Sequence, residues 1–351
     1  MPRNQLIKSG LFLLLLLGLM VGGSWRANRI ENPLFRGETM GTTYSIRLIG
    51  VLTKKEANRL AERMDALLLT INQQMSTWLE DSEISTFNRH QSTAPFPVSE
   101  EFALVTKSAL ALAAASDGAF DPTLQPLLNL WGFGSESRAG EPPSPAQIEE
   151  IRESTGWDKI TVEMDAKLRK DLPDIQLALG AIAKGYAVDR LGELLREEAF
   201  EEWFIEVGGE VLVAGKNTDR VAWKIGIQSP DAQFFDTTLH GIVQATNGAV
   251  ATSGSYRNYV EVEGKRYAHI LDPQSGQAVY SDLVSVSVVA PSCLEADGWA
   301  TAMYVMDVES GLKKINELPT VEALFICSSN ENLVAYYSDG FMEKTSYETT
   351  Y

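Results

Sequence analysis

Between residues 203 and 290 the chain runs through one short β-type segment after another, separated by turn chemistry rather than by helix. The runs near 203–214, 221–228, 247–262, 265–271 and 283–290 are rich in Val, Ile, Tyr and Phe. Hairpin signals such as Glu263-Gly264 join several of them. Parallel strands need a crossover of a dozen or more residues, so strands linked this tightly pair antiparallel. A doubly wound parallel sheet is therefore disfavoured. The expected class is α+β, with largely antiparallel sheets flanked by helices.

The helices announce themselves by period and caps. In 53–75 the apolar positions Leu60, Met64, Leu67, Leu68 and Ile71 recur on one helical face, and Thr53 with Glu56 forms a capping box. Ser99 opens a second helix of small and apolar residues that stops at Asp117-Gly118, and Ser144-Pro145 opens a short third. Another helix is expected at 180–199, and one more from Ser292, where Glu295 is placed to complete a capping box. Residues 134–146, dense in Gly, Pro, Ser and charge, form the clearest loop. A pair of strands closes the chain.

Residues 1–24 stand apart. Arg3 and Lys8 precede the apolar run 11–23, which is short for a membrane span of about 20 residues and suits a signal-peptide core. Gly22 and Ser24 offer small residues for cleavage before Trp25; an uncleaved N-terminal anchor is the alternative. No cysteine follows the run, which excludes lipoprotein attachment there. Residues 25–351 are expected to be exported, placing the protein in the periplasm, free or held at the inner membrane. A net charge of −17 argues against nucleic acid as a partner, because phosphate neutralisation needs an excess of Lys and Arg. Cys293 and Cys327 have apolar neighbours and no zinc spacing, and read as free thiols before a disulfide.

Two glycine-rich stretches fail as phosphate loops. "GGEVLVAGKN" has Glu210 where a P-loop needs Gly, and "GFGSES" lacks the third glycine of a dinucleotide fingerprint. "LALGAIAKGYAVDRL" (177–191) holds more promise: small residues in a first helical turn with Lys184 beside them make an anion seat. Asp297 and Thr301 lie four apart on the helix from Ser292, so they share a face and present hard oxygens suited to Mg²⁺. Asp297 also has a plainer account, as an acid near a helix start. "DGAFDPTLQPLLNLWGFG" (117–134) and "MSTWLEDSEISTFNR" (75–89) set aromatics beside small polar groups, either as core pins or as the wall of a flat-ring site. His269, in "YAHILDPQSGQAV", ends a strand before a turn. It is read either as a half-buried hairpin histidine or as a reactive imidazole where scaffold meets loop.

Taken in order, "MGTTYSIRL", "STWLEDSEISTFN", "DGAFDPTLQPLLNLWGFG", "LGAIAKGYAVDRL", "FIEVGGEV", "ATSGSYRNY", "HILDPQSG" and "ADGWATAMYVM" resemble the motifs of the ApbE family. The resemblance covers residues 38 to 340 and implies a single compact α+β unit. It also implies a Mg²⁺-dependent enzyme that moves the FMN half of FAD onto a Thr or Ser hydroxyl of an exported redox protein, with AMP leaving. The implied acceptors are flavin subunits of quinone-reductase or Rnf-type complexes. Carried over motif by motif, the FAD contacts are Met40, Trp78, Ala119, Phe120, Asp121, Lys184 and Leu271. The Mg²⁺ ligands are Ala181, through its carbonyl, Asp297 and Thr301. His269 is then the expected general base, since an imidazole titrates near the working pH. Two departures are visible: Ala178 stands where the family usually has Asp, and the family's common lipobox is missing. The alternative readings are an FAD pyrophosphatase giving FMN and AMP, and a non-catalytic exported flavin carrier.

Overall fold

The computed structural model describes residues 28–350 apart from 136–141, 231–237, 255–258, 263–264 and 330–331. The leader 1–24, residues 136–141 of the polar loop and the Glu263-Gly264 turn therefore lie outside the described residues. At the centre is an eight-stranded sheet: β1 (Leu34–Thr39), β2 (Thr42–Leu48), β3 (Trp203–Val207), β4 (Glu210–Ala214), β5 (Asn247–Gly254), β6 (Leu283–Ala290), β7 (Glu322–Ser329) and β8 (Asn332–Tyr337). Spatial order follows chain order from one edge to the other, and every neighbouring pair is antiparallel. The antiparallel expectation holds for the whole sheet.

The strands' side-chain period builds three layers. In β4, Leu212 and Ala214 face one core while Val211 and Val213 face another. β5 and β7 do the same, with Ala249 and Ala251 opposed to Val250, and Ala323 and Phe325 opposed to Leu324. Strands buried on both faces lose polar alternation, which is why "EVLVA" is buried throughout. One face carries the helices α1 (Lys54–Met75), α2 (Glu100–Ala115), α3 (Gly180–Glu197) and α4 (Cys293–Val305). The other is covered by a small sheet of Trp223–Gln228, Leu239–Ala245 and Glu348–Thr349. The long helices thus flank the main sheet on one side, and only the short helix Phe341–Thr345 joins the small sheet on the other among the described residues.

The caps behave largely as expected. Thr53 accepts from Glu56 N at 3.2 Å while Glu56 accepts from Thr53 N at 2.8 Å, closing the box at the start of α1. The α4 start differs: Ser292 accepts from Glu295 N at 3.3 Å, and its first two amides donate to Asp189 of α3 at 2.8 and 2.9 Å. The Ser292 half of the expected box forms, while Asp189 of α3, rather than Glu295, supplies the carboxylate at this helix start. Cys293 and Cys327 are both free thiols.

Candidate functional site

Helices α3 and α4 cross so closely that a Cβ on Gly185 would sit 2.3 Å from the Cys293 carbonyl oxygen and 2.8 Å from Asp297 Cβ. That approach lets Gly185 N donate to Asp297 Oδ2 at 2.9 Å and fixes the carboxylate between the helices. Lys184, one residue earlier, turns to the sheet. Its Nζ donates to Glu210 Oε1 at 2.6 Å and stands 3.6 Å from Asp297 Oδ1. Two carboxylates, each only 3% exposed, therefore share one ammonium. Burial pushes both acids up, Glu210 to about 7, and Lys184 pulls each back. Burial also works against the Lys184 charge, but the two carboxylates outweigh it and hold the ammonium well above its usual range. The expected anion seat is thus occupied by acids: Lys184 is ion-paired, and the cluster favours an added cation over an added anion.

One turn on from Asp297, Thr301 Oγ1 lies 3.2 Å from Ser253 Oγ at the end of β5. Asp297, Thr301 and Ala181 all border one cavity of about 800 Å³, a volume typical of small-molecule sites. Among the described residues no three His, Cys, Asp or Glu converge on a metal-sized point. A cation here would be held by a mixed oxygen set of carboxylate, hydroxyl and backbone carbonyl. Hard oxygens beside an excess of buried negative charge fit Mg²⁺.

The approach to α3 is clamped from two sides. Asn88 donates to Leu177 O at 2.9 Å and accepts from Leu177 N at 2.7 Å, while Ala178 N donates to Pro122 O at 2.7 Å. The start of α3 has no side-chain cap on Leu179, so its first turn opens towards the cavity. Ala178, in place of the family's Asp, also borders the cavity.

The cavity is also bordered by rings. Trp78, 68% exposed, and the half-buried Phe133 border it, with Phe120 buried behind. Ala119 and Asp121 line it as well. Asp121 also has a local duty: its Oδ1 accepts from Thr123 N and Oγ1 at 2.7 and 2.6 Å, and Oδ2 accepts from Trp157 N at 3.2 Å. Burial raises its carboxyl, and these bonds oppose the rise.

His269 borders the same cavity, edge-on to Phe133 with ring centroids 6.4 Å apart. The strand before it ends at Ala268, not at 271. Leu271 instead bridges Ala278 across the Asp272–Gly276 turn, where Gly276 takes φ +69°. A small core of Leu124, Leu127, Trp131, Ile148, Leu271 and Ala278 anchors that turn, and Trp131 Nε1 donates to Gly276 O at 2.9 Å. Leu271 is buried at the cavity wall.

Met40 is placed differently. With Gly41 it makes the two-residue turn between β1 and β2, both at positive φ (51° and 73°), and it packs half-buried on the main core. It is not among the residues bordering the cavity. Sequence reasoning missed Glu210 and Ser253. Glu210 was legible only as a misfit in a glycine-rich stretch, and Ser253 only as part of "ATSGSYRNY".

An antiparallel α+β fold whose cavity is bordered by aromatic rings with a histidine beside them, and by two acids paired to a lysine, is the framework of a nucleotide-handling protein. The ApbE family model matches residues 40–325, and the chain belongs to that family. It is 39% identical to the FAD:protein FMN transferase of Vibrio cholerae over 89% of this chain and 92% of the relative. It is 36% identical to that of Escherichia coli K12 over 86% and 85%. Among solved structures, the flavin transferase ApbE of Vibrio cholerae superposes with a TM-score of 0.80 at 35% identity, covering 90% of this chain and 98% of that one. The apo flavinyl transferase ApbE of Pseudomonas stutzeri does so at 0.80 and 35%, covering 89% and 96%.

Proposed function

We propose that this protein is an FAD:protein FMN transferase that works on an exported acceptor and requires Mg²⁺. The observation that carries the reading is the shared cavity, which is bordered by aromatic rings, a lysine–carboxylate cluster and an imidazole. Trp78 and Phe133 suit the isoalloxazine, and the open first turn of α3 suits the pyrophosphate. Asp297 and Thr301, with the Ala181 carbonyl, would hold the cation, whose chemistry is to neutralise charge on the phosphoryl oxygens. Lys184 adds positive charge beside them.

His269 accepts the proton of the incoming Thr or Ser hydroxyl. The freed oxygen forms a bond to the FMN phosphorus as the bond to the AMP phosphate breaks, and AMP departs with that electron pair. Such a transfer depends on positioning and charge more than on covalent help. Export through residues 1–24, with or without their removal, places the reaction in the periplasm. The acceptors are flavin-carrying subunits of quinone-reductase or Rnf-type complexes. Titration of FAD with and without Mg²⁺, followed by flavin fluorescence, tests the binding half of the proposal. Saturable quenching that tightens with Mg²⁺ is expected, and absence of binding under both conditions refutes it.

A further inference from the structure

Glu210 sits where a hydrophobic side chain is expected. It opens β4 just after the Gly208-Gly209 turn, on the same strand face as Leu212 and Ala214, which pack into the helix-side core. A carboxylate on that face is costly unless both oxygens are satisfied. Only one is. Oε1 accepts from Lys184, whereas Oε2 is buried and makes no hydrogen bond to another residue. The side chain is 3% exposed and borders the cavity within reach of the ammonium that Asp297 shares.

We propose that Glu210 Oε2 is a further oxygen donor to the divalent cation held by Asp297 and Thr301, and that Lys184 offsets the repulsion between the two carboxylates. The inference rests on the proposed cation site and adds a donor from the sheet to donors that all come from helices. Asp297, Thr301 and the Ala181 carbonyl are neighbours on two packed helices; Glu210 closes the set from β4. Mg²⁺ and Mn²⁺ both take oxygen donors in octahedral sites, so one more carboxylate oxygen still leaves positions for phosphate oxygens.

Titration of the full chain with Mn²⁺, read by electron paramagnetic resonance without FAD, tests this. Asp297→Asn should abolish saturable Mn²⁺ binding, and Glu210→Gln, which keeps shape and loses charge, should raise the Mn²⁺ Kd about 10- to 100-fold. Wild-type affinity in Glu210→Gln, with binding lost in Asp297→Asn, overturns the inference and leaves the cation site standing. Undiminished binding in Asp297→Asn removes the site itself. If Glu210→Gln does not fold, Glu210→Asp decides: the shorter carboxylate draws the oxygen back from the cation, so a raised Mn²⁺ Kd supports the proposal and wild-type affinity overturns it.

Discussion

Gly185→Ala is the most exacting perturbation the structure offers, because two effects of known size oppose each other. Alanine in a helix interior is favoured over glycine by about 1 kcal/mol. The new methyl, however, would lie 2.3 Å from Cys293 O and 2.8 Å from Asp297 Cβ, and the first of these is backbone that cannot swing aside. Helices α3 and α4 must therefore part by about 1 Å, an overpacking cost of roughly 1–3 kcal/mol. The net expectation is a loss of up to about 2 kcal/mol, seen as a fall of up to about 3 °C in Tm by circular dichroism. The same movement breaks the Gly185 N to Asp297 Oδ2 bond, and a shift of that size at a positioned group lowers flavin transfer on the order of 10²-fold. Gly180→Ala is the control: a Cβ there meets nothing within 4 Å, so Tm should hold or rise. A Gly185→Ala protein that melts higher than wild type and transfers flavin normally would refute the close-packing account.

Three further outcomes follow from the site. Trp78→Ala should change stability by less than about 0.5 kcal/mol, since the ring is 68% exposed, yet weaken FAD binding about tenfold by isothermal calorimetry. His269→Ala should leave FAD affinity nearly unchanged and slow transfer by about 10² to 10⁴, with the defect shrinking as pH rises because hydroxide replaces the base; a matching loss of FAD affinity would make His269 a binding residue. Asp189, which caps α4, is pushed up to about 6 by burial, against the amides of Cys293 and Leu294. Its folded pKa exceeds its unfolded value of 3.8, so the stability linked to its protonation is full below pH 3.8 and lost as pH rises through 6. The stability gap between wild type and Asp189→Asn, from urea melts, should therefore shift in favour of wild type on going from pH 7 to pH 5.

How much of this was legible in the sequence depends on whether the cause was local. The α1 start was readable because Thr53 and Glu56 are three residues apart and satisfy each other. Antiparallel pairing was readable where a tight turn joins neighbours, as in β1–β2, β3–β4 and β7–β8, whereas the long connections between the other neighbours left their direction open. The small sheet over the second face was not, since its strands are brought together from 223–245 and, far along the chain, 348–349. The α4 cap was given to Glu295 because Asp189 reaches it from more than a hundred residues away. Lys184 looked like a free cation for the same reason: both carboxylates that bind it come from distant segments. Glu210 was read as a broken phosphate loop, since burial of a charge shows only when the strand is placed. Met40 lies at a turn that needs positive φ, which "MG" signals only through its glycine.

The central claim is that this cavity joins FMN to a protein hydroxyl. Incubation with FAD, Mg²⁺ and a purified acceptor domain carrying the target threonine, followed by intact mass spectrometry and nucleotide analysis, tests it most directly. The account predicts one FMN added per acceptor, one AMP released for each, and no adduct when that threonine is replaced by alanine. Free FMN and AMP formed in equal amounts, with the acceptor mass unchanged, would show that water rather than a protein hydroxyl is the acceptor and would contradict the account.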